Sequence, residues 1–118
     1  MPTYPVPTSI KDVAQNAIDQ NMSLPLSQRA AYKDEGDKRI PGTGMRTARR
    51  LISGRVDYEQ LILMRAWFAR HGKSDMEREK RKDKTSKASI AWRLWGGTGA
   101  VGWVNQLIRQ IEREKNKE

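Results

Sequence analysis

Phosphate recognition by guanidinium groups is the chemistry this sequence offers most directly. Between Lys38 and Arg55 stand Lys38, Arg39, Arg46, Arg49, Arg50 and Arg55, with no acid among them. Each arginine carries a planar fork of N–H donors that matches a phosphate or carboxylate. Met45, Ala48, Leu51 and Ile52 are spaced as the apolar side of a helix, which puts Arg46 and Arg50 one turn apart on the other side, with Arg49 beside them. Thr43, Thr47 and Ser53 add short hydroxyl donors. An apolar back with an uncompensated Arg face is what phosphate contact demands. The alternative is a solvated face whose arginines pair with acids elsewhere in the fold. A second basic cluster, Lys80, Arg81 and Lys82, is diluted by Asp75, Glu77, Glu79 and Asp83 around it.

The formal net charge of +9 agrees with a polyanionic partner. That partner is DNA or RNA, held mainly through phosphates with little sequence preference, or else an acidic protein surface. In the second case Trp92 and Tyr58 are the candidate anchors, because aromatic side chains dominate interface energetics.

Catalytic chemistry finds little support. The chain has one His and no Cys, and lacks His-x-x-x-His and Glu-x-x-His spacings. Its neighbouring carboxylates, Asp34-Glu35 and Glu77/Glu79, sit in polar runs rather than apolar ones that would shift their pKa values. His71 falls at a predicted helix C-terminus, where the dipole favours an imidazolium. Gly96-Gly97-Thr98-Gly99 superficially suggests a phosphate loop, but no Lys follows and a helix precedes it, so it reads as a tight corner. No catalytic residue, metal site, cofactor or small-molecule substrate is expected.

The elements that must position these residues follow from the apolar pattern. At 118 residues, 36% hydrophobic and 31% charged, the chain has the makings of one domain with a modest core. No apolar run approaches the roughly 20 residues of a membrane span, and residues 1–7 carry neither the basic nor the apolar region of a secretory signal. Residues 1–8 are Pro-rich and expected to be extended. Ser9 caps a helix with the stripe Ile10, Val13, Ala14, Ala17 and Ile18; Ser27 caps a short second helix through Arg29–Tyr32, ended by the run 34–37. The Arg-bearing third helix ends at Gly54. Asp57, with Gln60 three residues on, opens a fourth helix to His71 that is apolar over half its circumference and is therefore expected at the centre. Residues 72–88 read as a charged loop or mobile arm. Ile90–Trp95 forms a short helix stopped by Gly96-Gly97, and Thr98 caps the last helix, with Val101, Val104, Leu107, Ile108 and Ile111 inward. Trp67, Trp95 and Trp103 are expected in the core, and the polar tail 112–118 is expected to fray. With no alternating strand pattern, the reading is all-α: a compact bundle of four to five short helices over 9–111 with a polar mobile insert.

Three blocks also resemble a small helical module of tailed-bacteriophage proteins. They are Gly44-Met45-Arg46-Thr47-Ala48-Arg49-Arg50-Leu51, the run Met64 to His71 ending Phe-Ala-Arg-His, and Ile90-Ala91-Trp92-Arg93-Leu94-Trp95-Gly96-Gly97 with Trp103. The resemblance spans about residues 7 to 108. Thr98 stands where that pattern has Asp, and Ala100 where it has Gly, so no carboxylate is available at position 98. The resemblance implies a phage-encoded helical accessory protein, placed in the host cytoplasm or the virion.

Overall fold

The computed structural model describes residues 2–117. In chain order the elements are β1 (Thr3–Pro5), α1 (Thr8–Met22), β2 (Tyr32–Glu35), β3 (Lys38–Pro41), α2 (Thr43–Ile52), β4 (Arg55–Asp57), α3 (Tyr58–His71), α4 (Asp75–Arg81), α5 (Lys87–Leu94) and α6 (Thr98–Asn116). The chain is mostly helical, but the expectation of a purely all-α fold is corrected by two antiparallel ribbons, β1 with β4 and β2 with β3. None of the helices is long and apolar enough to cross a membrane.

The Pro-rich start is extended, as its fixed φ angles require, and it pairs with β4 so that Tyr4 lies opposite Val56. Helix α1 begins at Thr8, two residues earlier than a Ser9 cap would give, after Pro7 and without a side-chain cap. The short helix expected over Arg29–Tyr32 is instead a 3-10 turn at Leu26–Gln28 followed by a hairpin. Glu35 pairs with Lys38, leaving Gly36-Asp37 as a two-residue turn, and Gly36 at φ 65° supplies the left-handed conformation such a turn needs.

Apolar side chains at helical spacing build the core. Ile10, Ala14 and Ala17 on α1 face Met45, Ala48 and Leu51 on α2 and Ile90 and Leu94 on α5, all buried. These three helices pack on one another, and α3 packs on α6 through Leu61, Met64 and Phe68 against Val104, Ile108 and Ile111. The α1–α2–α5 group is therefore the centre. Helix α3, expected there, is a flanking element with Leu63 40% exposed and Arg65, Ala66, Ala69 and Arg70 also outside.

Trp95 is buried and stacks on half-buried Trp67 at 4.7 Å, while Trp103 is also half-buried. Gly96 and Gly97, at φ 108° and 77°, turn α5 into α6 at this point. A Cβ on Gly96 would lie 2.6 Å from that of Ala100, so the corner demands glycine on space as well as on φ. Thr98 is the first helical residue of α6 and not its side-chain cap; its Oγ1 accepts a bond from Trp92 Nε1 at 3.1 Å.

The segment expected to be a mobile arm is structured. Ser74 Oγ accepts from the Glu77 amide to start α4, and Ser86 does the same for Ser89 at the start of α5. The backbone oxygen of Lys84 between them accepts from Gln20 Nε2 and Arg93 Nη2. Helix α6 likewise runs to Asn116, beyond the point where fraying was expected. Met1 and Glu118, the outer ends of the segments 1–8 and 112–118, lie outside the described residues.

Candidate nucleic-acid interface

The amphipathic pattern of α2 places Met45, Ala48 and Leu51 inside and Arg46, Arg49 and Arg50 outside. At about 1.5 Å rise per residue, Arg46 and Arg50 are separated by about 6 Å along the axis. Helix α2 ends at Ile52, Gly54 turns at φ 98° with its amide bonded to Leu51 O, and β4 begins at Arg55. That short connection sets the exposed Arg55 beyond the C-terminal end of the helix.

Neutral oxygens orient three of these four guanidiniums. Arg50 Nη1 donates to Gln60 Oε1 at 2.7 Å, and the buried Gln60 in turn donates from Nε2 to Thr47 Oγ1 at 3.2 Å. Arg55 donates from Nε and Nη2 to Oγ1 and O of Thr3, both at 2.8 Å. Arg46 Nη2 donates to Thr43 Oγ1 at 3.3 Å. The Arg49 side chain has no hydrogen bond or ion pair among the described residues. None of the four lies within ion-pair distance of a carboxylate among those residues. Asp57 and Glu59 share a groove with Arg50 and Arg55, but Asp57 Oδ1 is occupied by the Gln60 amide. Arg46 and Arg49, on the outer face of α2, lie outside that groove.

The other basic residues expected with this face are placed elsewhere. Lys38 and Arg39 sit on β3, and Arg39 is a structural tie: it pairs with Asp34 at 3.1 Å and donates to the carbonyls of Leu26 and Arg29. Arg81 turns inward, its guanidinium 4.0 Å from the Trp92 ring centroid and bonded to His71 O. Lys82 pairs with Glu79 at 2.9 Å, and Lys80 is exposed. Trp92 is half-buried between Arg81 and Phe68, and Tyr58 carries Lys115 Nζ 4.5 Å above its ring, so neither is an open anchor.

His71 closes α3 as expected, with a partner that sequence spacing did not suggest. Its Nδ1 lies 3.0 Å from Glu77 Oε1, and its ring rests 4.4 Å from that of Trp67. A carboxylate-held imidazole can activate a nucleophile, but the cleft around it has no Ser, Thr or Cys among its lining residues, and its Tyr32 and Lys87 are not bonded to the ring. No group of three metal-ligating side chains occurs among the described residues. The residues missed from sequence are the orienters Thr3 and Gln60. Gln60 was visible as a capping position, but only the fold turns its amide toward Arg50.

No protein-family model, curated protein or solved structure matches the chain.

Proposed function

We propose that the chain is a non-enzymatic accessory protein that contacts nucleic acid through phosphates, using Arg46, Arg49, Arg50 and Arg55. One observation carries this reading: three of the four guanidiniums are held by neutral acceptors, and none of the four is in an ion pair among the described residues. A merely solvated face has no reason to hold long side chains in place, because ordering them costs entropy. Here Arg46, Arg50 and Arg55 are held without direct ion pairs, and the remaining N–H donors of each fork are free for phosphate oxygens. Contacts of this kind position a protein on the backbone and carry little sequence information. The likeness of the Arg-helix, Phe-Ala-Arg-His and Trp-Gly-Gly blocks to a tailed-phage module supports phage origin as part of the same proposal.

The test is a salt titration of binding to duplex DNA, single-stranded DNA and RNA by fluorescence anisotropy. Four phosphate contacts give a slope of log K against log salt of about −3.6 on duplex and about −2.8 on single strands. On duplex that is a loss of about 150-fold between about 50 and 200 mM salt. Arg46→Ala with Arg49→Ala should reduce the duplex slope to about −1.8. Both side chains are exposed and Ala is as good a helix former as Arg, so the fold is preserved. An unchanged slope in that variant refutes the assignment.

A further inference from the structure

We propose that the groove bounded by α3, α4 and α6 docks an acidic peptide segment bearing an apolar anchor. Arg65, Lys73, Arg78, Arg81 and Lys82 line this space of about 630 Å³, and no carboxylate does. It shares no residue with the arginine face of α2. Arg65 and Lys73 form no ion pair among the described residues. Arg78 and Lys82 pair with Asp75 and Glu79, but those carboxylates are 94% and 73% exposed, so water screens the pairs and an incoming anion displaces them at little cost.

The floor decides the class of partner. Phe68, Ala69, Val101 and Trp92 form it. A single strand would need free ring faces on which bases could stack. Trp92 has Arg81 over its ring at 4.0 Å, Phe68 edge-to-face at 5.0 Å and Trp67 at 5.8 Å, and its Nε1 is bonded to Thr98. The ring is a wall and not a platform. An apolar floor beneath a cationic rim is complementary to a Leu or Phe side chain flanked by Asp and Glu, which bury the anchor and meet the rim together.

The test uses the full chain and a short fluorescein-labelled peptide of Asp and Glu around one Leu and one Phe, at about 150 mM salt, where charges beyond about 8 Å are screened. Arg65→Glu with Lys73→Glu should weaken binding at least about tenfold, since two attractions become repulsions. Ala69→Asp, at an exposed helical position, should weaken it similarly without loss of helicity. Arg46→Ala with Arg49→Ala should leave it unchanged, which separates this site from the α2 face. The proposal is overturned if the unaltered protein does not hold the peptide, or holds it equally after Leu and Phe are replaced by Ser. It is also overturned if an oligothymidylate displaces the peptide and itself loses affinity in the Arg65/Lys73 variant, which would make the occupant a nucleic acid.

Discussion

Replacing Asn21 with Leu should unlatch the hairpin from the helical core. Asn21 is fully buried at the C-terminal end of α1 and treats Ala30 as a strand partner would. Its Nδ2 donates to Ala30 O at 3.0 Å, and its Oδ1 accepts from the Ala30 amide at 2.8 Å. The next residue, Ala31, stands at φ 57° and accepts the Gly42 amide at 2.7 Å, immediately before α2. One side chain therefore fixes the hairpin base and, through it, the start of the arginine helix. Leucine has the same branched shape and number of side-chain heavy atoms but no polar one, so the variant removes both bonds, and the weaker one from Nδ2 to Met45 Sδ, without opening a cavity. Two buried backbone groups left unpaired cost about 1–3 kcal/mol each, and the added apolar burial returns about 1 kcal/mol. The net loss is about 3 kcal/mol, a large part of the about 5–15 kcal/mol that stabilises a domain. Urea unfolding followed by far-ultraviolet circular dichroism should show the midpoint falling with the slope unchanged. The thermal midpoint should drop by about 12 °C. A loss below about 1 kcal/mol would refute the latch, because it would mean that Ala30 finds other partners or water.

Two further outcomes follow from local geometry. Gly44→Ala should destabilise by about 1–3 kcal/mol, because the new Cβ would lie 2.7 Å from Ala31 Cβ; Gly36→Ala meets no atom within 4 Å and should cost only the about 1–2 kcal/mol of a left-handed alanine. An unchanged melting temperature in Gly44→Ala would contradict the close packing of α2 on the hairpin base. The carboxyl of Asp83 is held below its ordinary pKa, first by the Thr85 hydroxyl and then by the Thr85 amide. A depressed folded value favours folding above the unfolded pKa and is lost as pH falls through the folded one. Thr85→Val removes the first cause alone, so an NMR carboxyl titration should show Asp83 returning part of the way upward, and an unmoved midpoint would show the hydroxyl bond absent in solution.

Local chemistry announced the elements whose signals are self-contained. Asp57 accepting from Gln60, Gly54 closing α2 and Gly96-Gly97 turning α5 into α6 each depend on residues within a few positions of one another. The hairpin did not announce itself in the same way. Gly36-Asp37 is a two-residue turn signal, but Lys33, Asp34 and Glu35 beside it have poor strand character and no alternation, and Asn21, nine residues before Ala30, supplies the missing order. Helix α4 carries a complete start signal in Ser74-Asp75-Met76-Glu77, yet the mixed charge around it reads as disorder. Its docking depends on His71 and Trp92, which stand on the helices before and after it and reveal their role only when those helices are packed. The same distinction divides the candidate face. Periodicity sets Arg46, Arg49 and Arg50 together, but Thr3 is fifty-two positions from the arginine it holds.

What an arginine is bonded to decides what a bound anion gains. On β3 and α4 the cations have acidic neighbours close in sequence, and an anion arriving at Arg39, Arg78 or Lys82 competes with a carboxylate already in place. On α2 and β4 no carboxylate is within ion-pair distance, and the direct bonds are to hydroxyl, amide and carbonyl oxygens, although Asp57 and Glu59 share a groove with Arg50 and Arg55. Most of the Coulomb gain is therefore available at Arg46 and Arg49, and with it a strong dependence on salt. At the groove of α3, α4 and α6, part of the gain is spent on displacing Asp75 and Glu79, and the remainder must come from covering Ala69, Val101 and Trp92. Burial of that kind does not respond to ionic strength as counterion release does. Raising salt should consequently empty the arginine face well before the groove, so one molecule holding both partners would release its nucleic acid first.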